Sequence, residues 1–216
     1  MGTDEFMAGL LHGRLLAIIR GTDRDAAVAS ALVLFEEGIR HVEVTLTTPG
    51  ALQAIETIRR HAPAEARVGA GTVMTAADVA DSSDAGAQFV VTPAVVESIA
   101  EGARRGLPVL AGAFTATEAV NAMARGASAV KLFPASAGGP GYLRALRDPL
   151  PHIPFIAVGG VGLDQAPGYF RAGAVALGLG GPLVGDAAAS GGDLAALRGR
   201  ARLFVQLAAE DRAAAS

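Results

Sequence analysis

The sequence predicts a parallel α/β barrel of eight strands, and three observations lead to this expectation. Short apolar runs recur eight times, helical segments separate them, and the runs are apolar almost throughout. Such continuous apolar strands are typical of a parallel sheet that helices cover on both faces. Because no linker interrupts the series of eight, closure into a TIM barrel is the simplest architecture, and a doubly wound open sheet is the alternative. The predicted strands are Leu15–Ile19, His41–Leu46, Arg67–Ala70, Gln88–Thr92, Pro108–Ala111, Ser128–Phe133, Phe155–Val158 and Val175–Leu179.

The segments between the strands carry signals that begin and end helices. Thr75 and Asp78 have the spacing of a capping box, and Thr115 and Glu118 repeat it. Glycine closes several helical segments, as is common at helix C-termini. We expect an extra helix before the first strand, a disordered tail over Asp211–Ser216, and a single barrel domain over residues 1–216.

Composition and charge exclude several classes of function. The formal net charge is −3 and basic residues do not cluster, so we expect no nucleic acid or membrane surface as a partner. The chain has no cysteine, which excludes disulfides and thiolate chemistry. The four histidines lack the spacing of metal ligands, and we expect no metal and no cofactor. The N-terminus does not resemble a secretory signal and no apolar run is long enough to span a membrane, so a cytoplasmic protein is expected.

Two charged side chains are predicted to face the barrel interior. Lys131 lies in an apolar strand, where alternation sets it apart from the aliphatic face formed by Val130 and Leu132. Glu43 is expected to point inward by the same alternation in the second strand. A buried Glu–Lys ion pair adds little net stability, whereas an amine nucleophile beside an acid/base group is what Schiff-base chemistry requires. Catalysis is therefore favoured over a structural ion pair.

Glycine-rich segments after strands seven and eight predict an anion site. Val158–Gly162 follows strand seven and Leu177–Gly181 follows strand eight. Barrels often bind phosphate with these two loops, because glycine lets backbone N–H groups approach the anion closely. Two tight turns are the alternative. Thr72, after strand three, and Arg20, after strand one, are candidates to bind a carboxylate, although Arg20 is equally compatible with an ordinary surface position.

The motifs at these strand ends resemble those of a known family. The chain is similar to the 2-keto-3-deoxy-6-phosphogluconate (KDPG) aldolases, also called 4-hydroxy-2-oxoglutarate (KHG) aldolases, and to their galactonate-type (KDPGal) relatives. The resemblance runs from about Leu15 to Val184. Each motif alone is weak, but the ordered set is specific. The motifs are Val42–Thr48, Gly69–Val73, Val91–Pro93, Val130–Ala135 and Val158–Val161.

The resemblance implies a class I aldolase on a TIM barrel that needs no metal or cofactor and is usually a homotrimer. Carried over by position, Lys131 is the Schiff-base lysine and Glu43 the general acid/base. Thr72 is then expected to hold the pyruvate carboxylate, and Pro93 and Phe133 to shape the pocket. The backbones of Gly160–Val161 and Gly180–Gly181 are expected to hold the substrate phosphate.

Three positions depart from part of the family. Thr47 stands where many members have arginine, and members with threonine there carry an arginine at the end of strand one, as Arg20 does here. Gly181 replaces the family's serine after strand eight, which removes a hydroxyl donor to the phosphate. Val158, before Gly159 and Gly160, replaces the threonine of gluconate-type members and matches the galactonate type.

The expected reaction is cleavage of KDPG to pyruvate and glyceraldehyde 3-phosphate, with cleavage of 4-hydroxy-2-oxoglutarate to pyruvate and glyoxylate as a side activity. The galactonate epimer is the alternative substrate. A sugar-phosphate epimerase or isomerase, which works without an imine on the same barrel, and an inactive phosphate-binding scaffold are the rival functions. The expected partners are thus a small 2-keto-3-deoxy sugar acid and pyruvate.

Overall fold

The chain forms a closed barrel of eight parallel strands in sequential order, β1 to β8. The computed structural model describes residues 2–215. It confirms the predicted barrel, and the open-sheet alternative was wrong because β1 pairs with β8 as well as with β2. The strands are β1 Leu15–Ile19, β2 His41–Thr45, β3 Arg67–Gly71, β4 Val90–Val91, β5 Val109–Ala113, β6 Ala129–Leu132, β7 Phe155–Val158 and β8 Ala176–Leu179.

Helices surround the barrel, and the predicted N-terminal signals begin two of them. Thr75 and Asp78 form a reciprocal capping box, as do Thr115 and Glu118. The helices are α1 Thr3–Gly13, α2 Arg24–Glu36, α3 Ala51–His61, α4 Ala76–Asp84, α5 Ser98–Arg104, α6 Ala116–Ala124, α7 Gly139–Arg147, α8 Ala166–Arg171, α9 Gly181–Val184 and α10 Leu194–Ala215. A short 3₁₀ helix spans Ala135–Ala137.

The strand β4 is the one whose length differs most from the prediction. It covers Val90–Val91 rather than Gln88–Thr92. Backbone bonds from Gln88 N–H to the Val68 carbonyl and from Thr92 N–H to the Leu110 carbonyl continue the ladder beyond both ends. The extended segment therefore has nearly the predicted length, and only the regular pairing is shorter.

Buried side chains divide into an interior group and a helix-facing layer. On β1, Leu16 and Ile18 belong to the interior group, whereas Ala17 and Ile19 pack in the layer under the helices. This alternation is the one that the sequence predicts, and it sets which polar residues can reach the inside of the barrel.

The two terminal helices pack against the barrel at different places. Helix α1 buries Phe6 and Leu10, one turn apart, in the interior group, so it closes one end of the barrel. The expectation of a disordered tail was wrong over Asp211–Ala215, which continue α10, and Ser216 lies outside the described residues. Arg14 forms an ion pair with Asp211, which ties this part of the helix to the start of β1.

Candidate active site

A cavity of about 360 Å³ opens at the carboxyl ends of the strands, where barrel enzymes carry their chemistry. It brings together residues of β1, β6 and β7 and of the segments that follow β1, β3, β4, β6, β7 and β8. The residues singled out in the sequence that line it are Arg20, Thr72, Pro93, Lys131, Phe133, Val158, Gly159, Gly160, Gly180 and Gly181. The lining that the sequence did not single out is Ile18, Pro182, Val184 and Gly185.

Lys131 reaches the cavity from the middle of β6. Its side chain is 7% exposed, and its Nζ lies 5.2 Å from the centre of the Phe133 ring. Its neighbours on the same strand, Val130 and Leu132, pack in the helix-facing layer. An amine held among apolar groups at the floor of a cavity can meet a carbonyl carbon that enters from the open side.

Glu43 lies fully buried in the interior beneath this cavity. Its carboxylate oxygens have no hydrogen-bond partner among residues 2–215 and form no direct ion pair with Lys131. Burial raises the pKa of Glu43 to about 7, and the charges of Lys131 and Arg20 oppose that rise. A carboxyl group whose pKa lies near neutrality can both take and give a proton at physiological pH.

The end of β3 leaves room for Glu43 and then turns sharply. A Cβ atom at Gly71 would lie 2.4 Å from Oε1 of Glu43, so only glycine fits beside the carboxylate. Thr72, the next residue, has a φ of 60°, a left-handed conformation that non-glycine residues seldom adopt. Such strain is often found where a backbone presents groups to a ligand. Thr72 thus offers its hydroxyl and N–H to the cavity.

The loops after β7 and β8 present glycine backbone to the cavity. Gly159 and Gly160 have φ values of 96° and 73°, which a side chain would resist. The N–H groups of Gly160 and Val161 have no acceptor within the described part of the chain. A Cβ atom at Gly181 would meet nothing within 4 Å, and Gly181 begins the short helix α9. Unused N–H donors in this arrangement suit an anion.

Besides Glu43, which lies beneath the cavity, two residues singled out in the sequence do not line it. Thr47 is exposed, and its hydroxyl lies 3.0 Å from that of Thr45. The side chain of Val161 is buried in the helix-facing layer, so only its backbone can serve a ligand. Among the lining residues that were not singled out in the sequence, Pro182 could have been identified, because a proline after a glycine pair is typical of the start of a short helix.

Arg20 contributes the positive charge at the mouth of the cavity. It is exposed, and within residues 2–215 it forms no ion pair. Its charge acts on Glu43 by lowering the pKa of that carboxyl. An arginine whose guanidinium group is not bound by protein carboxylates is available to an anionic ligand.

Neither a metal centre nor a membrane span is apparent in the described chain. No group of three or more His, Cys, Asp or Glu side chains over residues 2–215 is arranged to hold a metal ion. None of the helices in that range combines the length and the apolar character that crossing a membrane requires.

Comparison with known proteins gives a consistent family assignment. A family model described as KDPG and KHG aldolase matches residues 7–199. A probable 2-dehydro-3-deoxy-6-phosphogalactonate aldolase of Rhizobium meliloti (strain 1021) is 38% identical over 91% of each chain. A KHG/KDPG aldolase of Escherichia coli (strain K12) is 36% identical over 70% of this chain and 72% of its own. A solved structure of native KDPGal superposes with a TM-score of 0.86 at 35% identity, covering 91% of this chain and 95% of that one.

Proposed function

Because the chain belongs to the KDPG and KHG aldolase family and is thus an aldolase, a lyase, we propose that it cleaves a phosphorylated 2-keto-3-deoxy sugar acid through an imine. The observation that carries this proposal is the position of Lys131 at the floor of the cavity, with the buried carboxyl group of Glu43 beneath it. An epimerase or isomerase needs a proton-transfer pair but has no use for a buried amine nucleophile.

In the proposed mechanism Lys131 attacks the C2 ketone, and loss of water from the carbinolamine gives a protonated imine. Glu43 takes the proton of the C4 hydroxyl as the C3–C4 bond breaks, and the electron pair of that bond moves into the imine to form an enamine. The aldehyde leaves, the enamine takes a proton at C3, and hydrolysis releases pyruvate and the free lysine. Since Glu43 and Lys131 form no direct ion pair, a water between them is the proposed proton carrier.

The cavity lining divides into two binding regions in this proposal. Arg20 and the Thr72 hydroxyl and N–H bind the carboxylate of the pyruvate half. Pro93 and Phe133 form the wall of the pocket. The phosphate is bound by backbone N–H groups of the loops after β7 and β8, which is consistent with the donors of Gly160 and Val161 that no protein acceptor uses.

The proposed substrate is KDPG, which would yield glyceraldehyde 3-phosphate, with 4-hydroxy-2-oxoglutarate as a second substrate. The KDPGal epimer is the alternative, and two observations favour it. Val158 lines the cavity where gluconate-type members have threonine, and the relative that matches 91% of this chain is named a probable galactonate-type aldolase. The ratio of kcat/KM for KDPG to that for KDPGal tests which epimer is the preferred substrate.

The test of the chemistry is Lys131→Ala, measured as pyruvate release from both epimers. We expect turnover to fall to background while the circular dichroism spectrum and melting temperature stay close to those of the parent protein. Ser128→Ala, three residues earlier and before β6, serves as the control and should retain activity. Cleavage by pure, folded Lys131→Ala would refute the imine mechanism.

The homotrimer implied by the family resemblance is a separate proposal. It has no bearing on the imine mechanism, because every group named in that mechanism belongs to one chain. Light scattering coupled to size exclusion tests it, and a monomer mass at micromolar concentration would contradict it.

A further inference from the structure

Arg20 lies at the end of β1, at the start of a loop that two other segments of the chain hold in place. Gly21, the next residue, donates its N–H to the hydroxyl of Thr48 at 3.1 Å. The N–H of Thr22 donates to the carbonyl oxygen of Ala188, also at 3.1 Å. Because the Gly21 N–H belongs to the planar peptide group that joins Arg20 to Gly21, its bond to Thr48 fixes the direction in which the backbone leaves Arg20.

The loop packs closely against Ala188, which is itself buried. A Cβ atom at Gly21 would lie 2.2 Å from the carbonyl oxygen of Ala188 and 2.8 Å from its Cβ. A side chain at this position would push the loop away, so glycine is needed for the close approach of the two segments. The Thr48 hydroxyl therefore meets a loop that a second contact already holds.

Thr48 is well placed to anchor this loop. It is 2% exposed, and its N–H donates to the carbonyl of Thr45 at 2.9 Å in the turn that follows β2. Its hydroxyl lies 3.2 Å from that of Thr45, which lies 3.0 Å from that of Thr47. A hydroxyl can accept one hydrogen bond and donate another, so the three form a chain from the exposed Thr47 to the Gly21 N–H.

This chain of hydroxyls joins the two strand ends at which the family's arginine varies. Thr47, after β2, stands where many members carry the arginine, and Arg20, after β1, carries it here. Thr47 does not line the cavity, and its hydroxyl instead takes part in the chain that ends at the residue after Arg20. The threonines after β2 thus support the loop that bears the arginine.

We propose that Thr48 is a positioning residue for Arg20, whose guanidinium group it directs toward the carboxylate of the keto acid by holding the loop after β1. This inference rests on the proposed function, in which Arg20 binds that carboxylate. Thr48 lies outside the lining of the cavity, so it acts through Arg20. Valine at this position would keep the shape of the side chain but leave the Gly21 N–H without its acceptor. Because an N–H shielded from water is costly to leave unpaired, the loop would shift to find another partner, and Arg20 would move with it.

The experiment is a double-mutant cycle of Thr48→Val and Arg20→Gln in the full chain. KM and kcat are measured for KDPG, KDPGal and 4-hydroxy-2-oxoglutarate, which all carry a carboxylate beside the ketone. Thr48→Val should raise KM about fivefold, the factor that corresponds to one typical hydrogen bond, and leave kcat nearly unchanged. In the Arg20→Gln background it should not raise KM further, because the group that it positions is gone.

Two variants serve as controls. Thr48→Ser keeps the hydroxyl and should have the KM of the parent protein. Thr22→Val changes an exposed threonine of the same loop, leaves the bond between Gly21 and Thr48 in place, and should also keep that KM.

Amide hydrogen exchange at Gly21, followed by NMR, gives a measurement that does not depend on turnover. Exchange should be about tenfold faster in Thr48→Val than in the parent, since the N–H has lost its acceptor, and unchanged in Thr48→Ser.

Three results would overturn the inference. They are Gly21 exchange that Thr48→Val leaves unchanged, a KM that rises in Arg20→Gln but not in Thr48→Val, and a KM that Thr48→Val raises by the same factor with and without Arg20. Arg20→Gln with the KM of the parent is a different outcome, because it would refute the carboxylate role of Arg20 in the proposed function and the inference with it.

Discussion

Replacing Glu43 by glutamine should stabilise the protein at alkaline pH while it removes activity. Burial raises the pKa of this carboxyl from 4.5 to about 7. Between these two values the carboxyl of the unfolded chain is ionised while the buried one keeps its proton. The folded state thus binds more protons, and its stability falls as the pH rises through this range. Glutamine has nearly the same shape and does not ionise, so Glu43→Gln lacks this loss.

The size of the stability difference between Glu43→Gln and the parent follows from the pKa shift of Glu43. At 1.36 kcal/mol per pKa unit, the difference between 4.5 and 7 corresponds to about 3 kcal/mol. For a chain of this length that is a relative gain of roughly 6–12 °C in melting temperature. Below the unfolded-state pKa of 4.5, the carboxyl carries its proton in both the folded and the unfolded chain. The stability gained by Glu43→Gln should therefore be absent near pH 4 and complete above about pH 8.

The assay is thermal and urea unfolding of parent and variant across this pH range, with turnover measured on the same samples. Glu56→Gln is the matched control, because the Glu56 side chain is 60% exposed on helix α3 and lies outside the barrel interior. A stability difference between Glu43→Gln and the parent that is the same at both ends of the range would refute the assignment of a desolvated carboxyl at Glu43.

Three further predictions concern the same cavity. Gly71→Ala places a Cβ atom 2.4 Å from Oε1 of Glu43, so kcat should fall at least tenfold in a folded protein, and an unchanged kcat would show that the carboxyl moves freely. Arg20→Gln removes a positive charge that lowers the pKa of Glu43, so the apparent pKa near 7 in the pH profile of activity should move to higher pH. KM for the keto acid should also rise. An apparent pKa that does not move would contradict this coupling between Arg20 and Glu43. Gly181→Ser adds a hydroxyl in open space, and a hydrogen bond to a charged group should lower KM for phosphorylated substrates by about tenfold. KM for 4-hydroxy-2-oxoglutarate should not change, and equal effects on both substrates would contradict the phosphate site.

The sequence was sufficient for the barrel because its strands carry the alternation without ambiguity. On β2, Val42 and Val44 flank Glu43 and pack in the helix-facing layer, so the inward direction of Glu43 followed from a period of two. The same reasoning applied to Lys131 on β6. Pattern alone could also place glycine-rich loops after β7 and β8, because strand order fixes which loops meet at one end of a barrel.

Features that depend on contacts distant in sequence could not be predicted. The order of the chain end follows from the ion pair between Arg14 and Asp211, which are 197 residues apart. A cavity at the end of the barrel where the strands begin is lined by His12 and His41 and by Val205 of helix α10, and no sequence pattern marks it.

The most direct test of the central claim is borohydride reduction in the presence of pyruvate, followed by peptide mapping. Lys131 is the only lysine in the 216 residues, so the chain has one side-chain amine that can be trapped. We expect a single pyruvate adduct on Lys131, formed only when borohydride and pyruvate are both present and absent from Lys131→Arg. Folded protein that stays unmodified at Lys131 with pyruvate in excess would contradict the imine mechanism.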